Sequence, residues 1–256
     1  MYFFLFWVSL FGAINPASAD YIAAGEPDPF PFLIDGRKWG PGVGLGTPGA
    51  VSFSVMPAGV LLDPFGHLGL STSFSGLSAT VDELGTVLAA ATVWSLATSG
   101  ALSILGVVAD SGAPWNSFPA DPRGLAGPFG DIRLAAGPMA GPVLAHAFFP
   151  PPNGISASGD AHFNTLFPWV DDPTDTTADF DFDFFTVALH ELGHSFGLGH
   201  SRVRGSVMFP VYGGANRVLQ PDDIAGINTV YTPEPATLLL VGSGLLGIGL
   251  RKRRRG

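Results

Sequence analysis

The chain of 256 residues contains no cysteine. No disulfide staples it, even on export, so its fold must stand on its own core. The length is enough for one domain with a sizeable core. Charge is scarce as well: 13% of residues are Asp, Glu, Lys or Arg, while 35 are glycine and 23 proline. That balance favours a loop-rich fold with short elements. Base is nearly missing from the body. Five of the 12 Lys and Arg residues lie in the last six positions, RKRRRG, leaving seven against twenty Asp and Glu in residues 20–231, a net charge of about −13. An acidic body repels polyanions, which excludes nucleic acid as a partner.

The two ends carry the long apolar runs. The first, YFFLFWVSLFGAI, lacks the basic residues usual at the start of an export signal, but it leads to Ala17-Ser18-Ala19. Small residues there fit signal-peptidase cleavage before Asp20, so residues 1–19 are expected to be a signal peptide and the body to be exported. The second end reads Thr232-Pro233-Glu234-Pro235, then apolar residues Ala236 to Leu250, then Arg251 to Arg255. Fifteen apolar residues are short for a membrane span, and the basic cluster acts as a cytoplasmic stop. This end resembles the PEP-CTERM sorting signal. The resemblance implies an exosortase-type processing enzyme as a partner and a place at the envelope, surface or exterior of a Gram-negative bacterium. A plain tail anchor is the alternative. In both readings residues 232–256 stand outside the fold, and membrane contact comes only through the terminal segments.

Between the ends, residues 20–38 read as an irregular arm rich in Pro and Gly. Ala50 to Met56 alternates as a strand does. A loop follows to Ser78, in which His67 reads as a surface residue. Thr80 to Thr98 carries Val81, Leu84, Val87, Leu88, Ala91 and Trp94 at helical spacing. Strands are expected at 101–110, 131–135 and 143–149, with a Pro/Gly loop from Ser111 to Gly130. Six acidic residues fall between Asp171 and Asp183. They form either a solvated loop or a calcium site, since clustered carboxylates suit Ca²⁺.

The most informative stretch is HELGHSFGLGH, His190 to His200. On a helix, His190 and His194 project from one face and can grip one ion. Glu191 lies beside them. Gly197 lets the chain leave the helix sharply and bring His200 round as a third ligand. Three neutral imidazoles leave the fourth position of a tetrahedral zinc open, which is a catalytic arrangement.

That motif, with Met208 in SVMFPVY, resembles the metzincin metalloproteases, and Ser201 and Pro210 resemble the matrixin branch. Leu219 to Tyr231 resembles the matrixin final helix, and Leu144 to Phe163 the strand bordering the cleft with the loop after it. The resemblance implies an α+β, zincin-like fold over residues 39–231: a mixed, twisted five-stranded sheet, a long first helix, an active-site helix and a C-terminal helix. It implies a zinc endopeptidase acting on protein or peptide, with zinc on His190, His194 and His200 and Glu191 as general base. Met208 forms the turn beneath the zinc. Leu144 and Ala145 on the edge strand, and Thr186, Pro210 and Tyr212 around the primary specificity pocket, would meet substrate. Family latency through a prodomain cysteine has no residue to work with here. Two other readings remain: a non-catalytic surface or biofilm-matrix protein on the same fold, and a metallohydrolase acting on something other than protein.

The family's second, structural zinc takes three histidines and an aspartate. His146 and His162 match two of these. The other two come in the family from an H-x-D segment after the third strand, and Arg133 to Pro142 holds neither residue. One tightly held zinc is therefore expected, with His146 and His162 as a hydrogen-bonded remnant. The alternative is a second zinc completed by water or by Asp160. The family calcium site is depleted too, with Ala140, Asn164 and Phe167 where carboxylates are expected.

Overall fold

The computed structural model describes residues 32–34, 36–40, 44–63, 67–115, 129–152, 156–175 and 181–232. The expected signal peptide and the C-terminal sorting segment lie outside the described residues, apart from Thr232. No helix among the described residues is long and apolar enough to cross a membrane.

The centre is a five-stranded sheet. Its strands are β2 (Gly49–Val55), β3 (Leu102–Val107), β4 (Ile132–Gly137), β5 (Ala145–Ala147) and β6 (Ala161–Asn164), in the order β3-β2-β4-β6-β5. The pairs β2–β3, β2–β4 and β4–β6 are parallel, and β5 alone runs antiparallel, at the edge. β1 (Phe32–Ile34), within the segment read as an arm, pairs with β9 (Leu198–Ser201). A small parallel pair joins β7 (Trp169–Val170) to β8 (Phe182–Asp183). The mixed five-stranded sheet and three α-helices fit the expected α+β, metzincin-type fold.

β4 lies between two parallel neighbours and is buried along its whole length, as parallel strands covered on both faces are. It nevertheless contains Arg133, 1% exposed. The charge is tolerated because Asp110 receives it in a two-pronged pair, Nε to Oδ2 at 2.8 Å and Nη2 to Oδ1 at 2.7 Å. Burial alone would raise the Asp110 pKa, but hydrogen bonds from Arg133, Gly112 and Ser54 hold it below the usual carboxylate range. The pair fastens the chain after β3 to the middle of the sheet.

Helix α1 (Glu83–Ala97) begins at Asp82, whose side chain accepts from the Gly85 amide at 3.1 Å, satisfying one of the unpaired amides of a helix start. Val87, Ala90, Ala91 and Trp94 form its fully buried stripe. The Trp94 indole donates to the Leu189 carbonyl at 2.9 Å, which locks α1 against α2 (Phe184–Ser195). α2 is buried at almost every position and so runs through the interior. α3 (Pro221–Tyr231) closes the fold. Its Tyr231 hydroxyl donates to the Phe196 carbonyl at 2.9 Å, and the Trp39 indole donates to the Ser195 carbonyl at 2.7 Å. These two bonds satisfy carbonyls at the end of α2 that the helix leaves free, so the C-terminal end of the metal-site helix is held from two distant parts of the chain.

Candidate metal centres

Helix α2 starts at Asp183, whose carboxylate accepts from the Thr186 amide at 2.9 Å. One helical turn separates His190 from His194, and their Nε2 atoms meet 3.1 Å apart. Each ring is oriented through its other nitrogen. His190 Nδ1 donates to the Val207 carbonyl and His194 Nδ1 to the Leu198 carbonyl, both at 2.7 Å. A proton fixed on Nδ1 leaves the Nε2 lone pair for a metal. Burial, with neighbouring rings adding to it at His190 and His200, pushes all three imidazoles below their ordinary pKa, His194 to about 4. They are neutral ligands at physiological pH.

The third histidine depends on a break in the helix. Gly197 has φ +106°, and a Cβ there would lie 2.5 Å from the Arg37 carbonyl oxygen. Only glycine satisfies both constraints. The chain then enters β9 and brings His200 to the other two, with donor atoms of all three within 4.8 Å of one another. This three-histidine set can hold a catalytic zinc.

Met208 lies directly beneath. A Cβ on Gly193 would meet Met208 Sδ at 2.2 Å, so the glycine inside the HELGH segment makes room for the methionine. Asp223, at the start of α3, holds this turn. It accepts from the Val207 amide at 2.9 Å, the Met208 amide at 3.1 Å and the Gln220 amide at 2.8 Å, and it also binds the Ser206 hydroxyl. Asp222 takes the Ser201 hydroxyl in the same way. Val207 in turn fixes His190. Asp223 thus positions a metal ligand from 33 residues away, and nothing in the sequence reading singled it out; an acidic residue in a helix's first turn is too common a pattern to do so.

Glu191 lies between the two helical ligands and is 1% exposed. Leu144 and Ala145 lie just before and in β5, the antiparallel edge of the sheet, both buried as residues. The expected strand 143–149 is shorter in the structure, Ala145–Ala147. Two of the residues expected at the specificity pocket, Thr186 and Tyr212, are joined through Asp183. Thr186 Oγ1 donates to Asp183 at 2.6 Å and accepts from the Asn216 amide at 2.8 Å. Tyr212 accepts from the Asp183 amide at 2.9 Å and donates to Asp175. Arg217 pairs with Asp183 and Asp171. Acidic residues before α2 thus have protein partners: Asp171 and Asp183 on Arg217, Asp175 on Tyr212, and Asp172 on Thr174. Pro210, the other expected wall, is partly buried two residues before Tyr212.

A second cluster departs from expectation. His146 and His162 face each other across β5 and β6 in register, but they are not alone. Asp63 and His67, from the loop after β2, join them, and donor atoms of all four lie within 4.8 Å of one another. The His67 side chain is 1% exposed, so it is not a surface residue. Asp160 does not complete the set: its Oδ1 accepts from the Arg133 amide at 3.0 Å, and burial raises its pKa to about 8. Asn164, where the resemblance expects a carboxylate, gathers the loop before β5 with its amide. It donates to the Val143 carbonyl at 2.7 Å and the Met139 carbonyl at 3.3 Å, and such carbonyls are groups that a calcium ion would otherwise coordinate.

Residues 131–232 match the family described as Matrixin, and residues 232–255 match the PEP-CTERM protein-sorting motif. Among curated proteins, matrilysin of Rattus norvegicus is 46% identical over 99 residues, covering 37% of this chain and 34% of that protein. Stromelysin-1 of the same species is 43% identical over 108 residues, covering 41% of this chain and 20% of its own length. A hatching enzyme of Paracentrotus lividus is 45% identical over 93 residues, 36% of this chain and 14% of that protein. The chain spans 34% or less of the length of these relatives.

Proposed function

We propose that this chain, whose residues 131–232 are a matrixin domain, is an exported zinc-dependent endopeptidase. The observation that carries the reading is the converging set of His190, His194 and His200, oriented by the Val207 and Leu198 carbonyls, with Glu191 between the two helical ligands. A zinc bound there would polarise a peptide carbonyl and make its water a nucleophile near neutral pH. Glu191 accepts the proton of the attacking water and passes it to the leaving amine. The substrate lies extended beside β5, whose outer edge has no strand partner among the described residues, and pairs with it through main-chain hydrogen bonds, as in strand addition.

Thr186, Pro210 and Tyr212 wall the pocket for the side chain that follows the scissile bond. Thr186 is small, and Tyr212 and Val187 are apolar and buried, so the pocket favours an apolar side chain of medium to large size. Such pockets discriminate by about 10- to 200-fold per methylene-scale change. A peptide-library cleavage profile checks this, and a clear preference for a charged residue there would exclude it. The sorting motif supports delivery to the envelope or surface of a Gram-negative bacterium and removal of the tail near Pro233 by an exosortase-type enzyme. Intact mass of the protein recovered from its host distinguishes a trimmed form from an anchored one. The primary test is cleavage of casein or gelatin by the purified chain with and without a chelator. Activity that a chelator leaves untouched would overturn the assignment.

A further inference from the structure

We infer that Asp63, His67, His146 and His162 form a closed second zinc site, in which a loop outside the matrixin-matched region supplies the two donors that the segment after β4 lacks. The inference does not depend on catalysis at the first site.

The donor atoms are His67 Nε2, His146 Nε2, His162 Nδ1 and Asp63 Oδ2. Asp63 Oδ2 lies 2.8 Å from His162, 3.1 Å from His146 and 3.4 Å from His67. His162 Nδ1 lies 3.0 Å from His67 Nε2 and 3.2 Å from His146 Nε2. Zinc bonds of about 2.0–2.1 Å in a tetrahedron imply donor–donor edges of roughly 3.4 Å. These five edges run from 2.8 to 3.4 Å, at or below that length, and the sixth is under 4.8 Å, so the four donors gather around one point as a bound ion requires.

Protons alone serve this arrangement poorly. If all three rings donated to Asp63, their N–H groups would point at one another across 3.0 and 3.2 Å. If a ring kept its lone pair inward, it would face the carboxylate lone pairs. One cation at the centre turns every contact favourable. Three imidazoles and one carboxylate suit zinc; calcium and magnesium prefer oxygen-rich sets. Four protein donors leave no open position, which marks a structural site. Asp63, His67 and His162 side chains are at most 1% exposed.

The loop is built to reach this point. Leaving β2, it folds on itself through a Leu61–Leu70 bridge, with the Gly59 amide on the Ser71 carbonyl at 2.9 Å and the Ser71 amide on the Val60 carbonyl at 2.8 Å. It then crosses the end of β4: Leu68 donates to the Pro138 carbonyl at 2.9 Å and Thr72 to the Ala136 carbonyl at 2.7 Å. Gly137 permits the crossing, since a Cβ there would meet Leu62 Cδ1 at 2.5 Å. Met56, Val60, Leu62 and Ala135 form a separate small core beneath it. The metal would tie this excursion to β5, the strand proposed to receive substrate.

The test is zinc content and ligand spectroscopy on the full chain, stripped and reloaded. About two zinc ions per chain are expected after dialysis, falling to about one in His200→Ala and about one in the double variant Asp63→Ala/His67→Ala. A single zinc in the wild type, or two retained in the double variant, overturns the site. Because the double variant removes buried groups and can fail to fold, Asp63→Cys loaded with cobalt gives an independent readout. The chain has no other cysteine, so a thiolate-to-cobalt charge-transfer band arises only if position 63 binds the metal. Its absence in a folded, cobalt-loaded Asp63→Cys protein would also overturn the proposal. Excess calcium is expected to displace neither ion.

Discussion

The two histidine clusters reach similar ends by opposite routes. His190, His194 and His200 come from one helix and the short strand that follows it. Their spacing is set by helical pitch and by one glycine at φ +106°. Asp63 and His162 are 99 residues apart, and their meeting depends on sheet register and on a loop crossing β4. The first cluster has three donors and would leave a bound zinc one coordination position for water and substrate. The second has four and would leave none. A centre that must react is supported from beneath by Met208 and from behind by Asp223, while a centre that only clamps can be assembled from whichever loop reaches the strand edge.

Three expectations rest on this contrast, and the largest effect belongs to Glu191. Glu191→Ala is expected to lower hydrolysis by about 10²- to 10⁴-fold while both clusters keep their metal, because the carboxylate is a base and not a ligand. Retention of even about a tenth of the activity would sink its role as the base. Single-turnover cleavage with parallel zinc analysis reads both quantities.

Gly197→Ala is next. The new methyl meets the Arg37 carbonyl and forces a left-handed backbone on alanine, at a cost of at least about 2 kcal/mol. The loss is expected to appear as weaker zinc retention at the three-histidine site, with the four-donor site unaffected. If both sites lose metal equally, the clusters are not independent and the comparison breaks.

The smallest effect is electrostatic. In the metal-stripped chain, burial holds His194 at about 4 and His67 at about 2. Both values lie below the unfolded value of about 6.5. The unfolded chain therefore binds protons that the folded rings refuse, so stability is full above about pH 6.5 and is lost as pH falls toward the folded values. Denaturant midpoints measured from pH 7 to 4 are expected to decline, and zinc is expected to move that decline to lower pH. A midpoint independent of pH over this range contradicts neutral, buried rings.

Much of the catalytic half could be read from local pattern. The strand expected from Ala50 and the helix expected from Thr80 fall within a few residues of their observed bounds, since each carries its periodicity in its own residues. Val143 to Phe149 was read too long. Phe148 and Phe149 continue the apolar run, but only Ala145 to Ala147 find ladder partners on β6. His67 was misread because a lone histidine in a Gly- and Pro-rich loop has the same local signature whether it faces water or a metal. The lack of an H-x-D segment after β4 misleads for a related reason: Asp63 and His67 reach the cluster from the loop after β2.

What the sequence determined by itself is the reactive motif, because a helix converts spacing directly into direction and a glycine converts directly into a turn. It also determined the absence of any disulfide, and the sheet-and-helix class. What only the tertiary structure decided is which distant groups converge: Asp63 and His67 on the β5–β6 edge, Asp223 under the methionine turn, and Trp39 and Tyr231 on the end of α2. Those meetings depend on strand order and on loops crossing strands, which are properties of the packed chain as a whole and leave no periodic trace in any single segment.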